Sequence, residues 1–270
     1  MPELPEIETI KRGILPLKNS IVRKIFRSSL KLRIDATKKL DKIIGSQIIS
    51  IERRARYLII DFNNYHSLII HLGMSGRITI DSNFKNLKHD HFACQFDNQQ
   101  WLIYNDPRRF GFIDLVESHD LNSHKMLKNL GPEPLSLDFN HQYLQKKLAN
   151  KNCNIKTTMM DNQIVVGVGN IYINESLFLA KILPTKMAKN LSKKEIINLV
   201  ESIKKTIATA IEMGGSSISD YQNANGELGF FQNQHQVYGR QNQDCHKCGC
   251  IIERIVQNQR STFFCKTCQK

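Results

Sequence analysis

The chain of 270 residues is 41% hydrophobic and carries a formal net charge of +13, from 38 Lys and Arg against 25 Asp and Glu. A chain of that size buries a real core, organised as one large or two ordinary domains, and the positive balance points to a polyanionic partner, with plain lysine-rich composition as the alternative source of the charge. No apolar run approaches the ~18 residues of a membrane span, which excludes a membrane-spanning class.

The chain opens Met1-Pro2-Glu3-Leu4-Pro5-Glu6. Once Met1 is removed, Pro2 presents a secondary amine whose pKa near ~8 leaves much of it unprotonated, able to attack a carbonyl-like carbon and form an iminium. Covalent catalysis on a sugar is one reading; a plain helix start, with Pro and acids at the positive end of the dipole, is the other. Glu3, Glu6 and Glu8 with no apolar stretch behind them give no targeting signal. Ile7, Ile10 and Ile14 recur at helical spacing, so an amphipathic helix is predicted from Glu6 to about Leu17.

From about Ser20 to Val116 the pattern changes to short β-type runs: Gln47–Ile51, Tyr57–Phe62, Ser67–Leu72, Arg77–Ile80, Phe92–Phe96 and Trp101–Tyr104. They predict a β-sandwich or flattened barrel. Leu130-Gly131-Pro132-Glu133-Pro134-Leu135-Ser136 reads as a linker, and beyond it the chain becomes helical. One helix is predicted from Asn170 or Ile171 to about Ala180, and another behind the capping box of Ser192 and Glu195, ending at Gly214-Gly215. Gly167-Val168-Gly169-Asn170 has the makings of an anion site, because glycines let backbone N–H groups approach a phosphate at a helix start.

Five of the seven cysteines follow Asp244, which fits metal binding in a reducing compartment better than a disulfide framework, and a soluble cytoplasmic protein is expected. Cys245-x2-Cys248 and Cys265-x2-Cys268, with sixteen residues between the pairs, have zinc-ribbon spacing. Four thiolates close the tetrahedron, so one structural Zn2+ is predicted. Arg260 stands on the hairpin between the knuckles.

The N-terminus, His71-Leu72-Gly73-Met74-Ser75-Gly76, Asp106-Pro107-Arg108-Arg109-Phe110-Gly111, Val166-Gly167-Val168-Gly169-Asn170-Ile171-Tyr172 and the four-cysteine pattern together resemble the bacterial formamidopyrimidine-DNA glycosylase family. The resemblance runs in order from Pro2 to Lys270. It implies an α+β, multidomain chain: an N-terminal helix and β-sandwich over residues 1–130, a helical helix-two-turns-helix domain over 131–235 and a zinc ribbon over 236–270. It implies a monomeric repair enzyme that acts on double-stranded DNA with oxidised purines or abasic sites. Pro2 would then be the nucleophile, Glu3 the proton donor to the sugar ring oxygen, Glu6 a tuning or helix-starting group, and Arg56, Asn170 and Arg260 the phosphate-holding residues. Met74, Arg108 and Phe110 match the family's wedge, which fills the gap left by an extruded nucleotide. His89, Lys151 and Lys156 match further DNA contacts, and residues Ser216 to Gln222 a cap over the flipped base.

The family has lysine where this chain has Arg56, so the phosphate contact is kept and any proton transfer by that residue is lost. The resemblance leaves two rivals. One is the sister endonuclease VIII group for oxidised pyrimidines, against which Leu4 speaks because that group usually carries glycine there. The other is a zinc-ribbon protein that binds damaged DNA without cutting it.

Overall fold

The computed structural model describes residues 2–34, 39–216 and 229–270. It divides into two compact units, Met1–Lys128 with Gly214–Phe230, and Asn129–Met213 with Phe231–Lys270.

In the first unit, helix α1 (Leu4–Ile14) continues into a 3-10 turn, Leu15–Leu17. The helix starts two residues earlier than predicted, because Glu3 serves as its N-cap in a capping box with Glu6, and Pro5 lies in the first turn where no N–H is needed. Beyond Ile14 the chain tightens into that 3-10 turn, where Pro16 has no N–H with which to continue the α-helical hydrogen-bond ladder. Eight strands follow: β1 (Val22–Arg27), β2 (Ile48–Arg54), β3 (Tyr57–Phe62), β4 (His66–His71), β5 (Arg77–Asp81), β6 (Asp90–Phe96), β7 (Trp101–Asn105) and β8 (Phe112–Glu117). They form two four-stranded antiparallel sheets, ordered β1-β6-β7-β5 and β2-β3-β4-β8. Alternate residues such as Leu58, Ile60, Leu68 and Ile70 from one sheet and Ile78, Phe92, Leu102 and Tyr104 from the other share one core with Ile7, Ile10 and Ile14 of α1. This is the predicted sandwich. Strands β1 and β8 fall at the two ends of the predicted β-type stretch, and β1 has the weaker pattern, with only Val22 of its six residues fully buried.

The second unit contains α2 (His141–Leu148), α3 (Ile155–Met159), α4 (Gly169–Leu179), α5 (Lys193–Glu212) and the hairpin β9 (Glu253–Gln257) and β10 (Arg260–Phe264). Asn140 and Asn154 cap α2 and α3 by accepting from Tyr143 N and Thr157 N. The Ser192–Glu195 capping box starts α5, whose buried face is Ile196, Leu199, Val200, Ile203, Ile207 and Ile211. Helix α4 is buried over nearly its whole circumference, including the polar Asn170, Asn174 and Glu175. A helix in that setting must find partners for its polar side chains, and those partners organise the unit. Glu175 accepts from the backbone N–H groups of Gln236, Val237 and Tyr238, shaping the approach to the zinc ribbon. Among the described residues no helix is long and apolar enough to cross a membrane.

Candidate active site and nucleic-acid interface

The residues singled out in the sequence fall into two sets, one in each unit. In the first unit Pro2 is half-buried at the head of α1, followed by the buried carboxylates of Glu3 and Glu6. The Glu6 carboxylate is committed to backbone donors: Oε2 accepts from Glu3 N at 2.8 Å and Oε1 from Ser216 N at 2.7 Å. Gly215, at φ +82°, passes so close that a Cβ there would lie 2.7 Å from Glu6 Oε1. Glu6 thus ties the start of α1 to residues 215–216. The rest of the expected cap, 217–222, lies outside the described residues.

Arg56 is half-buried in the two-residue turn joining β2 to β3, where Ala55 adopts a left-handed φ of +54°. His71, at the end of β4, packs on Tyr57 and stacks on Phe112. Its Nδ1 accepts from Gly73 N at 3.2 Å. Burial, reinforced by the positive charges of Arg56 and Arg33, lowers its pKa to about 4, so the ring is neutral at cellular pH.

Two loops carry the expected wedge. Met74 and Phe110 are each 46% exposed, and the Arg108 guanidinium lies 4.7 Å from the centre of the Phe110 ring. The buried Asp106 joins the loops: Oδ1 accepts from Ser75 Oγ at 2.6 Å, and Oδ2 accepts from Gly111 N and Tyr104 OH. A side chain at Gly73, at φ +62°, would collide with the backbone of Phe110 and Gly111, so glycine alone lets the loops meet. Met74, Arg108 and Phe110 border a concavity of about 630 Å³ that His71 and Arg33 also line. His89 is half-buried beside these loops, its carbonyl accepting from Asp106 N. Asp106, Ser75 and His71 lie inside the quoted motifs, but nothing local in the sequence separates Asp106 from a solvated carboxylate; its burial is set by the packing of the two loops.

In the second unit Arg260 is exposed at the first position of β10. It follows a two-residue turn in which Asn258 and Gln259 both have positive φ, 47° and 59°, the backbone of a type I′ hairpin. The next residue is held from two helices: Ser261 O accepts from Lys156 Nζ of α3 at 3.0 Å and from Asn170 Nδ2 of α4 at 3.1 Å. Lys156 also donates to Thr262 Oγ1, and Asn174 accepts from Phe263 N. The expectation that Lys156 touches DNA is corrected by this placement. Its side chain is 1% exposed and its ammonium is bonded to the hairpin, because a charge so buried requires fixed acceptors. Asn170 sits at the head of α4 behind Gly167 and Gly169, both at positive φ, and is itself only 9% exposed. Lys151 is half-buried in the connection from α2 to α3.

Cys245, Cys248, Cys265 and Cys268 bring their sulfurs within 4.8 Å of one another. Two pairs lie 3.5 and 3.9 Å apart, bracketing the edge of about 3.8 Å expected for a tetrahedron with Zn–S bonds of about 2.3 Å. The donors fit one structural zinc, with no ligand position left for a catalytic water. Cys265 N donates to the side chain of the buried Gln269, whose amide donates to Ile182 O just beyond α4. Cys94 is buried in the sandwich, while Cys153 and Cys250 are exposed.

Comparison with known proteins accounts for both sets together. Residues 1–113 match the formamidopyrimidine-DNA glycosylase N-terminal domain, 130–222 the formamidopyrimidine-DNA glycosylase H2TH domain, and 243–270 the zinc finger found in FPG and IleRS. The formamidopyrimidine-DNA glycosylases of Rickettsia bellii and Zymomonas mobilis are each 46% identical over 274 residues, covering all of both chains. Among solved structures, wild-type Lactococcus lactis Fpg (MutM) bound to DNA containing N7-benzyl-Fapy-dG superposes with a TM-score of 0.92 at 35% identity over the whole of both chains. MutM (FPG) from Thermus thermophilus gives 0.89 at 33% identity, over 99% of this chain and 98% of that one. With its helix, sandwich, helical unit and four-thiol hairpin all matched in order, the chain belongs to the formamidopyrimidine-DNA glycosylase family.

Proposed function

We propose that this enzyme removes oxidised purines, chiefly formamidopyrimidines and 8-oxoguanine, from double-stranded DNA and then cuts the abasic strand. The observation that carries the reading is the head of α1: a proline at position 2, followed by a buried carboxylate on a helix whose start is fixed by Glu6. After loss of Met1, the Pro2 nitrogen attacks C1′ of the extruded nucleotide while Glu3 protonates the sugar ring oxygen, and the base leaves as the iminium forms. Successive β- and δ-elimination then release the two flanking phosphates. Glu6, with both oxygens on backbone donors, acts as a positioning group for this nucleophile.

Arg56, Asn170 and Arg260 hold phosphates, so that the sugar meets a nucleophile of restricted reach. Met74, Arg108 and Phe110 fill the vacated stack, with the exposed apolar side chains compensating part of the unstacking cost of a few kcal/mol. His89 and Lys151 are further backbone contacts, while Lys156 supports Arg260 from within. The zinc keeps the hairpin of Arg260 folded and takes no part in bond breaking. We assign residues 1–130 to the catalytic sandwich, 131–235 to the helical DNA-binding part except for 214–230, which group with the first unit, and 236–270 to the zinc ribbon. A cytoplasmic enzyme held at the nucleoid by its DNA affinity fits the charge of +13.

The test is borohydride trapping on a duplex with one 8-oxoguanine opposite cytosine. The enzyme with free Pro2 is expected to form a covalent adduct, and the same enzyme carrying residues ahead of Pro2 to form none. Tight binding without an adduct from the free form would overturn the mechanism.

A further inference from the structure

Glu8 is a carboxylate that the mechanism does not use. It lies on α1, about 7.5 Å along the helix axis from Glu3 at the usual rise of ~1.5 Å per residue. Its oxygens divide their partners. Oε1 faces the helix's own cations, Lys11 at 3.1 Å and Arg12 at 3.5 Å, while Oε2 accepts from Arg53 Nε of β2 at 2.9 Å. The side chains of Glu8 and Arg53 are 12% and 11% exposed, so water competes weakly for this pair. Burial raises the Glu8 pKa, and its bonds to Arg53 and Lys11 outweigh that effect and hold it below the usual carboxylate value.

Arg53 does more than answer Glu8. Its Nη1 donates to Ala55 O at 3.1 Å, the carbonyl immediately before Arg56. Ala55 is the residue with the left-handed φ, a conformation that costs a non-glycine residue energy and persists where neighbours hold it. One guanidinium therefore grips helix α1 at one edge and the peptide leading into Arg56 at another. A planar group with several fixed donors can set the distance between two such partners; a lysine, with donors on a single nitrogen, cannot do so in the same way.

We propose that Glu8 and Arg53 are positioning residues that set the reach between Pro2, at the head of α1, and Arg56, on the β2–β3 turn. The inference rests on the roles of Pro2 and Arg56 given above. Arg56 holds the phosphate, Pro2 attacks the sugar of the same nucleotide, and Glu8–Arg53–Ala55 is a side-chain link between the elements that carry them. Loosening the link leaves the phosphate contact available but lets C1′ and the amine fall out of register, which lowers the rate of attack more than the affinity.

The test uses the full zinc-loaded chain with free Pro2 and the variants Glu8→Gln, Arg53→Lys and the two combined. Single-turnover excision is measured on the 8-oxoguanine duplex, and Kd on a duplex holding a tetrahydrofuran abasic analogue. Each single variant is expected to slow excision by roughly tenfold to a hundredfold, as sub-ångström to 1 Å misplacement does. Kd is expected to stay within about twofold, and the double variant to be no slower than the worse single one. Unchanged rates, rates and Kd worsening together, or losses that multiply in the double variant would each overturn the inference. Fluorescence of Trp101, in the same unit, verifies folding, and Arg53→Lys keeps the charge if Glu8→Gln proves unstable. No adduct from the unaltered chain would overturn the Pro2 reading itself, and the inference with it.

Discussion

Lys156 Nζ lies 2.7 Å from Thr262 Oγ1, joining a lysine of α3 to the strand that begins with Arg260. The bond spans 106 positions of sequence and is buried. It makes Arg260 the exposed end of a strand whose next two residues are held by the helical part of its unit. Lys156→Met keeps the length of the side chain and removes the donors, leaving the Ser261 carbonyl short of a partner and the hairpin loose. The expected cost is about 1–3 kcal/mol in stability of the second unit, with a loss of duplex affinity like that of Arg260→Ala. Denaturant unfolding and duplex binding check it; a Lys156→Met protein of full stability would contradict the supporting role.

Zinc removal is expected to abolish duplex binding while leaving the sandwich folded. The four thiols and the Arg260 hairpin belong to the second unit, and structural zinc contributes on the order of 10 kcal/mol to folding of such modules. Metal analysis should return one zinc per chain. Cys248→Ser or chelation should remove it together with binding, while Trp101 fluorescence in β7 stays native.

Truncating the wedge should separate lesions held in a stack from lesions already free of it. Met74→Ala and Phe110→Ala remove side chains that are each 46% exposed, so folding is little affected. Without them the extruded state loses roughly 1–3 kcal/mol, or about five- to 150-fold in excision from a matched duplex. Strand cleavage at an abasic site in single-stranded DNA should change far less. Equal losses on both substrates would argue against insertion.

His71 makes the first unit sensitive to acid. Its folded pKa, about 4, is below the unfolded value of 6.5, so the unfolded chain takes up the proton first as pH falls. Stability from this group is complete above about 6.5, declines as pH drops through that window, and is lost by about 4, a total on the order of 3 kcal/mol. Urea unfolding followed through Trp101 should therefore show a steeper loss between pH 6.5 and 4.5 in the unaltered protein than in His71→Phe, which keeps the stacking on Phe112. Identical pH slopes would remove His71 from the account.

Much of the fold was written locally. Alternating apolar residues in Tyr57–Phe62 and its neighbours specify strands with one buried face, Ser192 and Glu195 specify where α5 begins, and paired Cys-x2-Cys knuckles specify a metal-closed hairpin. These signals need only residues a few positions apart, and the same is true of the proline and carboxylate at the head of the chain. What the tertiary structure decided is how the charged and polar side chains are used. Glu6, Glu8, Arg53, Asp106 and Lys156 look alike in sequence to solvated surface groups. Yet Glu8 finds Arg53 across 45 positions, Ser75 finds Asp106 across 31, and Glu6 finds Ser216 across 210. The physical reason is that a buried charge or carboxylate is tolerated only where donors or acceptors from distant elements converge on it, and that convergence exists only once the sheets and helices have packed.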